Sequence, residues 1–175
     1  MAKLEPPDPF KGLATPALDF TELRMSYQIG RGETGVLTFE PYKSLLLPLW
    51  RFKTPAIATK SSRDLWRQFE HYGRKGDFVG MDMSRKFIQM GMTRAKRYAN
   101  HKGGRKYKSS TDSNGKREEL PKSETHAGKQ EKEEASRIFR EVWQRCREDP
   151  TYLQLKEQFQ EEQKQWKKHH PVSAE

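Results

Sequence analysis

The sequence lacks two features that would indicate an extracellular or membrane protein: paired cysteines and long apolar runs. Its only cysteine among 175 residues is Cys146, which excludes an intrachain disulfide and a cysteine-rich zinc site. The apolar residues 45–49 fall far short of the roughly 20 that a membrane-spanning helix requires, and Pro48 interrupts them. The first ten residues have no apolar segment typical of a secretory signal. We therefore expect a cytoplasmic or nuclear protein without a membrane partner.

Hydrophobic residues are also scarce, at 33% of the chain, which is below the share typical of a compact domain. Residues 1–19 contain four prolines, and residues 109–130 are rich in serine, lysine, glycine and glutamate without an apolar period. We expect the first segment to be a disordered arm and the second a disordered linker. Residues 20–108 would then form the basic core of a single domain. Residues 131–165 would form a helical pair packed on that core, and residues 166–175 a polar tail.

Acidic residues are few in the centre of the chain. Residues 20–108 carry nineteen basic and seven acidic side chains, whereas the rest of the chain is nearly balanced. This block therefore accounts for the whole formal net charge of +10. A charge excess confined to one block is suited to attracting or holding an anionic partner.

The stretch at residues 76–107, GDFVGMDMSRKFIQMGMTRAKRYANHKGGRKY, is the centre of the predicted fold. Its apolar and small residues recur with the spacing of one helix face, with Asp77 as the expected N-cap. The members of this face are Phe87, Ile88, Gly91, Met92, Ala95, Tyr98 and Ala99. Arg85 and Lys86 are predicted to point elsewhere. Residues 83–108 contain nine basic residues and no acidic one, and such like-charge repulsion on a helix suggests an anion nearby.

Other patterns complete a mainly α fold of about four helices with a small N-terminal β element. Alternation at residues 25–29 and 36–39, on either side of a glycine-rich loop, predicts a β-hairpin. A helix is predicted over residues 55–72, with Thr54 as N-cap and Gly73 as the residue that ends it. Two further helices are predicted in residues 131–165, separated by a turn at Glu148-Asp149-Pro150-Thr151.

Four phrases taken together resemble a known family. They are GRGETGVL, EPYKSLLLPLWRFKTP, the stretch at residues 76–107, and IFREVWQRCREDPTYLQL. In this order they resemble the domain of unknown function 4385, and the resemblance spans most of residues 25–160. It implies a single small domain in which helices surround an irregular N-terminal segment. The resemblance implies no activity, and it assigns no catalytic or binding residue.

A basic clamp is predicted where the central helix ends. We define it as Arg94, Arg97, His101, Lys102, Arg105, Lys106 and Tyr107. Cations at a helix C-terminus complement the helix dipole, but that explains only one or two of these charges. The alternative is a site for phosphate oxygens, with Tyr98 or Tyr107 available to stack on a base.

Catalytic and nucleotide-binding motifs are weak or absent. Gly30, Gly32 and Gly35 fit GxGxxG spacing, but a strand pattern rather than a helix follows them, which favours a structural turn. Glu33, Asp77, Asp82 and His101 are candidate acid–base groups, yet no triad order, paired-carboxylate signature or HExxH motif accompanies them. Asp82 precedes Arg85 by three residues and Lys86 by four, which predicts a local ion pair with one of them. The methionines at positions 81, 83, 90 and 92 are expected to fill the core.

The sequence thus favours a non-enzymatic module that associates with nucleic acid, RNA or DNA, without sequence preference. One alternative is a protein that binds or acts on a small phosphorylated ligand. A second is an interaction module for an acidic protein partner. No cofactor and no metal is expected, and His169-His170 is interpreted as a solvated pair in a polar tail. The oligomeric state is left open.

Overall fold

The structure, a computed structural model, describes residues 12–111 and 115–171. It confirms a mainly helical fold with a small two-stranded antiparallel sheet. The described residues form seven α-helices, more than the four predicted: α1 (Pro16–Asp19), α2 (Thr21–Ser26), α3 (Tyr42–Leu46), α4 (Pro55–Lys75), α5 (Phe78–Asn100), α6 (Lys129–Glu148) and α7 (Pro150–His169). The sheet pairs β1 (Tyr107–Thr111) with β2 (Arg117–Glu119). Short 3-10 turns occupy Leu47–Leu49 and Lys102–Gly104.

Helix α5 packs against both α4 and α6, which also pack against each other, so the three helices form the centre of the fold. Its predicted apolar face is confirmed, because Phe87, Ile88 and Ala95 are fully buried. Met81, Met83 and Met90 fill the core as predicted. From Phe78 to Ile88 the helix is buried on every side, so its polar residues there must find partners inside the protein.

The predicted outward orientation of Arg85 and Lys86 is wrong, because both side chains are buried. Arg85 pairs with Asp82 at 2.7 Å, which confirms the predicted ion pair, and its Nη1 also donates to the carbonyl of Gly32. Lys86 Nζ donates to the carbonyl oxygens of Gln28 at 2.9 Å and Thr34 at 2.8 Å. Two of the nine basic residues therefore bind groups inside the protein: Arg85 pairs with a carboxylate, and both side chains bind backbone carbonyls of the loop.

These contacts also explain why the predicted N-terminal hairpin is absent. Met25 belongs to helix α2, and residues 31–39 form a series of turns rather than a strand. The carbonyl groups of this loop are partly satisfied by the buried cations of α5, so it does not need strand partners. The β element of the fold lies instead at residues 107–119, in and beside the segment predicted to be a linker.

The predicted disordered arm at residues 1–19 also needs correction for its second half. The backbone N–H of Leu13 donates to Gln68 Oε1 at 3.0 Å, and the N–H of Ala17 donates to the Tyr42 hydroxyl at 2.9 Å. Ala17 is fully buried. Residues 12–19 are therefore fixed to α4 and α3 by hydrogen bonds that composition does not reveal. Residues 1–11 lie outside the described residues.

The predicted linker at residues 109–130 contains ordered contacts with the end of α5. His126 Nε2 lies 3.0 Å from the carbonyl oxygen of Tyr98, and Lys129 Nζ donates to the carbonyl of Ala99 at 2.8 Å. These polar groups satisfy carbonyls that the last turn of a helix leaves without a helical partner. A segment without apolar periodicity is thereby held by polar capping contacts. Residues 112–114 lie outside the described residues.

Local capping sets the ends of the long helices. Thr54 accepts a hydrogen bond from the Ile57 N–H at 3.2 Å, and Asp77 accepts one from the Gly80 N–H at 3.1 Å, which confirms both predicted N-caps. Helix α4 ends at Gly76, with a φ of 74°, and not at Gly73 as predicted. Helix α7 begins after an Asp149 cap and continues to His169, beyond the predicted boundary at residue 165.

Candidate phosphate-binding site

The predicted basic clamp lies where α5 ends and the chain turns toward the sheet. Arg94 and Arg97 lie on the last turns of α5, and His101 is its C-terminal cap. Lys102 lies in the following 3-10 turn, and Arg105 and Lys106 connect that turn to β1. Tyr107 begins β1.

Two neighbouring basic clefts are formed at this end of the molecule. The first basic cleft, of about 400 Å³, is lined by the cations Arg94, Lys96, Arg97, Lys106 and Lys122, by His101, and by Glu33 and Glu119. The second basic cleft, of about 420 Å³, is lined by Arg97, Arg105, Lys106, Tyr107, Lys108 and Arg117. Arg97 and Lys106 line both, so the clefts share a basic wall. Lys102 is exposed and lines neither of them.

The structure adds four cations that the clamp prediction missed. Lys96 and Lys108 belong to the same basic run as the clamp, but they were not among its predicted members. Arg117 and Lys122 come from the segment that was interpreted as a disordered linker. The antiparallel pairing of β1 with β2 places Arg117 beside the second cleft, and no local pattern in the sequence indicates this.

The two arginines of α5 in the first cleft interact with Glu33 through the longer-range attraction of their charges. Within the described parts of the chain, neither Arg94 nor Arg97 makes a side-chain hydrogen bond or an ion-pair contact. A guanidinium group carries five N–H donors, and these two point into a region that is concave and basic. Their donors are available to phosphate or carboxylate oxygens.

Glu33 provides a partly compensating negative charge in the first cleft. Its carboxylate accepts hydrogen bonds from Thr93 Oγ1, at 3.0 Å and 2.9 Å to its two oxygens. Burial raises the pKa of Glu33, and the Thr93 hydrogen bond and the charges of Arg94 and Arg97 act in the opposite direction. Glu33 and Glu119 are the two carboxylates that line the first cleft, against five basic side chains, so the cleft keeps a net positive charge.

His101 is the most deeply buried member of the clamp, with 4% of its surface exposed. Its Nε2 lies 3.8 Å from Glu119 Oε1, and its Nδ1 is buried without a hydrogen-bond partner among the described residues. Buried polar atoms almost always have a partner in native proteins. An unpaired ring nitrogen at the wall of a basic cleft is consistent with a site that a bound molecule or water completes.

The comparisons with known proteins identify the family of the chain. The family model described as "Domain of unknown function (DUF4385)" matches residues 11–162. The chain belongs to the DUF4385 family. This confirms the resemblance noted in the sequence, and membership assigns no activity. No curated protein and no solved structure is significantly similar to the chain.

The other candidate groups of this DUF4385 protein have structural partners. The glycine-rich loop is followed by turns and not by a helix, and Lys86 and Arg85 bind its carbonyl oxygens. A phosphate-binding loop would present N–H groups to a ligand, whereas this loop presents its carbonyls to buried cations. Asp77 accepts a hydrogen bond from the Tyr42 hydroxyl, and Asp82 is fully buried.

The described residues of the DUF4385 protein contain neither a helix that could span a membrane nor a cluster of metal-ligand side chains. No helix there is long and apolar enough to cross a membrane. The same residues contain no group of three or more histidine, cysteine or acidic side chains that could hold a metal ion.

Proposed function

We propose that this protein is a non-enzymatic module that binds the phosphate backbone of nucleic acids through its two basic clefts, without sequence preference. The observation that carries the proposal is the shared wall of the clefts, where Arg97 and Lys106 line both. The clefts are lined by cations from α5, from residues 105–106 before the sheet, from β1 and β2, and by Lys122. Contacts between such cations and phosphates account for most affinity in non-specific nucleic-acid binding.

The arrangement supports an extended polyanion for a geometric reason. Two joined clefts offer phosphate sites on both sides of Arg97, whereas one phosphate group would fill only part of this surface. The unpaired guanidinium groups of Arg94 and Arg97 have the planar fork that matches phosphate oxygens. Side chains that contact only phosphates carry no sequence information, which is why we propose binding without sequence preference.

Fluorescence anisotropy with labelled oligonucleotides of unrelated sequence tests this function. We expect similar dissociation constants for all sequences at low ionic strength, and loss of binding as salt rises. A pull-down from cell extract with and without nuclease treatment extends the test, because partners retained through nucleic acid should disappear after digestion. Absence of oligonucleotide binding at low salt contradicts the proposal.

A second candidate function is recognition of a small phosphorylated ligand by the first basic cleft alone. The specific observation in its favour is that Glu33 and the unpaired His101 lie in the same cleft, whose volume of about 400 Å³ suits a small molecule. Such a ligand should raise the melting temperature saturably at one stoichiometric site. Thermal-shift measurements with inorganic pyrophosphate and nucleoside phosphates distinguish it from the leading proposal, in which only oligonucleotides bind tightly.

A further inference from the structure

A third cleft, which we call the aromatic cleft, is lined in part by Tyr98, the residue that follows Arg97 on α5. It has a volume of about 620 Å³ and is lined by the rings of Trp50, Phe52 and Tyr98 together with Leu47 and Pro48. The ring centroids of Trp50 and Phe52 are 5.0 Å apart, and those of Phe52 and Tyr98 are 5.6 Å apart. Three rings in series form an apolar surface of the kind on which planar molecules stack.

All the charged side chains that line the aromatic cleft are basic: Arg51, Lys53 and Lys132. Lys132 Nζ lies 5.2 Å from the centroid of Phe52 and 5.5 Å from that of Tyr98, within the range of a cation–π contact. Trp50 Nε1 is buried without a hydrogen-bond partner among the described residues. The surface thus combines ring faces with positive charge, and its occupant should be planar and carry negative charge.

The aromatic cleft adjoins the second basic cleft through the contact of Tyr98 with Gly104. Tyr98 follows Arg97 directly on α5, and Arg97 lines both basic clefts. The Tyr98 ring packs so closely on Gly104, which lines the second basic cleft, that a Cβ there would lie 2.6 Å from it. A single ligand can therefore reach phosphate sites and ring faces on adjacent surfaces of the protein.

We propose that the aromatic cleft binds the unpaired bases of a single-stranded nucleic acid whose phosphates lie in the basic clefts. The inference rests on the proposed function and makes it more specific. Bases within a duplex are stacked on each other and cannot present their faces, whereas the bases of a single strand can stack on aromatic side chains. Because every base has a π-face, stacking of this kind adds affinity without sequence preference.

The proposal is tested on the unmodified protein with three labelled probes. Each probe is about 12 nucleotides long, which is within the usual site sizes for single-strand binding. They are an oligo(dT) single strand, an abasic strand with the same number of phosphates, and a duplex. We expect the intact strand to bind about tenfold or more tightly than the abasic strand, because stacking is lost in the latter. It should also bind more tightly than the duplex. Equal affinities for the intact and abasic strands overturn this inference but leave the proposed function standing. No binding of any probe overturns both.

A pair of variants locates the stacking surface. Phe52→Leu keeps apolar volume but removes a ring face, and it should reduce the tenfold preference for the intact strand to less than about threefold. Phe20→Leu makes the same change at a ring that is 64% exposed and lines none of the three clefts, and it should leave the preference unchanged. An unchanged preference in Phe52→Leu, with an unchanged melting temperature, contradicts the assignment. The abasic comparison decides the matter if the variant does not fold.

Quenching of tryptophan fluorescence is an independent measure of ligand binding in the aromatic cleft. Binding of the intact strand should quench part of the emission, and that part should be absent from Trp50→Phe when it is measured at a strand concentration that saturates the variant. Quenching of Trp50 by an apolar acidic peptide but not by the single strand would assign the cleft to a protein segment and overturn the proposal.

Discussion

At the scale of single residues, the centre of the protein depends on one buried carboxylate. Asp82 is fully buried and accepts hydrogen bonds from the hydroxyls of Tyr27 and Tyr152 and from Nε and Nη2 of Arg85. These donors come from the N-terminal loop region, α5 and α7, so one side chain connects three distant parts of the chain. A buried charge is tolerated only when such partners compensate for its lost hydration.

We predict that Asp82→Asn lowers the free energy of unfolding by about 3–5 kcal/mol, because it leaves Arg85 buried without its counter-charge. Tyr152→Phe removes one hydrogen bond to a charged acceptor and should cost only about 1.5–3 kcal/mol. Urea denaturation followed by circular dichroism measures both. A loss below about 1 kcal/mol in Asp82→Asn would show that the network does not stabilise the fold.

The burial of Lys86 leads us to predict that the free energy of unfolding depends on pH. Burial lowers the pKa of its amine from 10.5 to about 8, against the opposing effect of Asp82. Between about pH 8 and pH 10 the unfolded chain retains a proton that the native protein releases, so stability rises with pH. From about pH 9 upward this contribution is opposed, because burial raises the pKa of Cys146, and near pH 10 that of Tyr27 and Tyr152, so the native protein keeps protons that the unfolded chain loses.

The measurement compares the unfolding free energy of the wild-type protein with that of Lys86→Met from pH 7.5 to 9.5, a window set by the shift from 10.5 to about 8. The difference between the two should move in favour of the wild type as pH rises. A difference that is constant across this window would show that the amine keeps an ordinary pKa.

Residue roles could be predicted from sequence only where the partners are close along the chain. Asp82 and Arg85 are three positions apart on one helix, and their ion pair was predictable from that spacing. Lys86 binds carbonyls 58 and 52 residues away, so its burial was not. The basic clefts are a similar case: the basic run of α5 that lines them is visible in the sequence, whereas Arg117 and Lys122 were missed because tertiary contacts bring them there.

At the scale of secondary-structure elements, the packing of α5 against α6 depends on a glycine. A Cβ built on Gly91 would lie 2.5 Å from the ring of Phe139, which is fully buried on α6. The missing side chain therefore lets the aromatic ring approach the backbone of α5. This accounts for a glycine in a helix interior, where it is otherwise unfavourable by about 1 kcal/mol relative to alanine.

Gly91→Ala should therefore destabilise the protein despite the better helix propensity of alanine, by about 1–3 kcal/mol through overpacking. Gly73→Ala in α4 is the matched control. A Cβ there would meet the flexible end of Met81 at 2.9 Å, which can move aside at small cost. Thermal denaturation should show a clear loss for the first variant and little change for the second. Equal melting temperatures for Gly91→Ala and the wild type would contradict the close packing.

Secondary-structure features set by neighbouring residues were predictable from the sequence, and features set by long-range contacts were not. N-caps are local, so Thr54 and Asp77 were recognised from sequence. Short alternating segments around glycines are compatible with either strands or turns, and the long-range contacts of Arg85 and Lys86 select turns here. The exposed strand β2 has no apolar alternation, which is why the sheet was not predicted.

At the scale of the whole molecule, we predict that the C-terminal helices belong to the same cooperative unit as α5. Phe139 of α6 and Phe159 of α7 are buried against the core, and Tyr152 binds Asp82. Deleting residues 131–175 should unfold or aggregate the remainder. Deleting residues 171–175, which follow α7, should not alter the melting temperature. A chain ending at residue 130 that melts cooperatively at the full-length temperature would refute this prediction.

The uneven charge of the sequence has two separate consequences in the folded molecule. The N-terminal half of α5 uses its cations internally, on Asp82 and on loop carbonyls. The C-terminal half directs its cations into the clefts, where few acidic groups oppose them. The same basic run therefore stabilises the fold at one end, and we propose that it binds phosphate at the other.

The salt dependence of single-strand affinity tests this claim most directly. Each phosphate contact adds about 0.7 to the slope of log affinity against log salt for a single strand, so the double variant Arg97→Ala/Arg105→Ala should flatten the slope by about 1.5. The control Arg137→Ala/Arg140→Ala removes the same charge from exposed positions of α6 that line none of the clefts, and should alter the slope far less. Equal slopes for the wild type and the Arg97/Arg105 variant, with folding intact, would contradict the account.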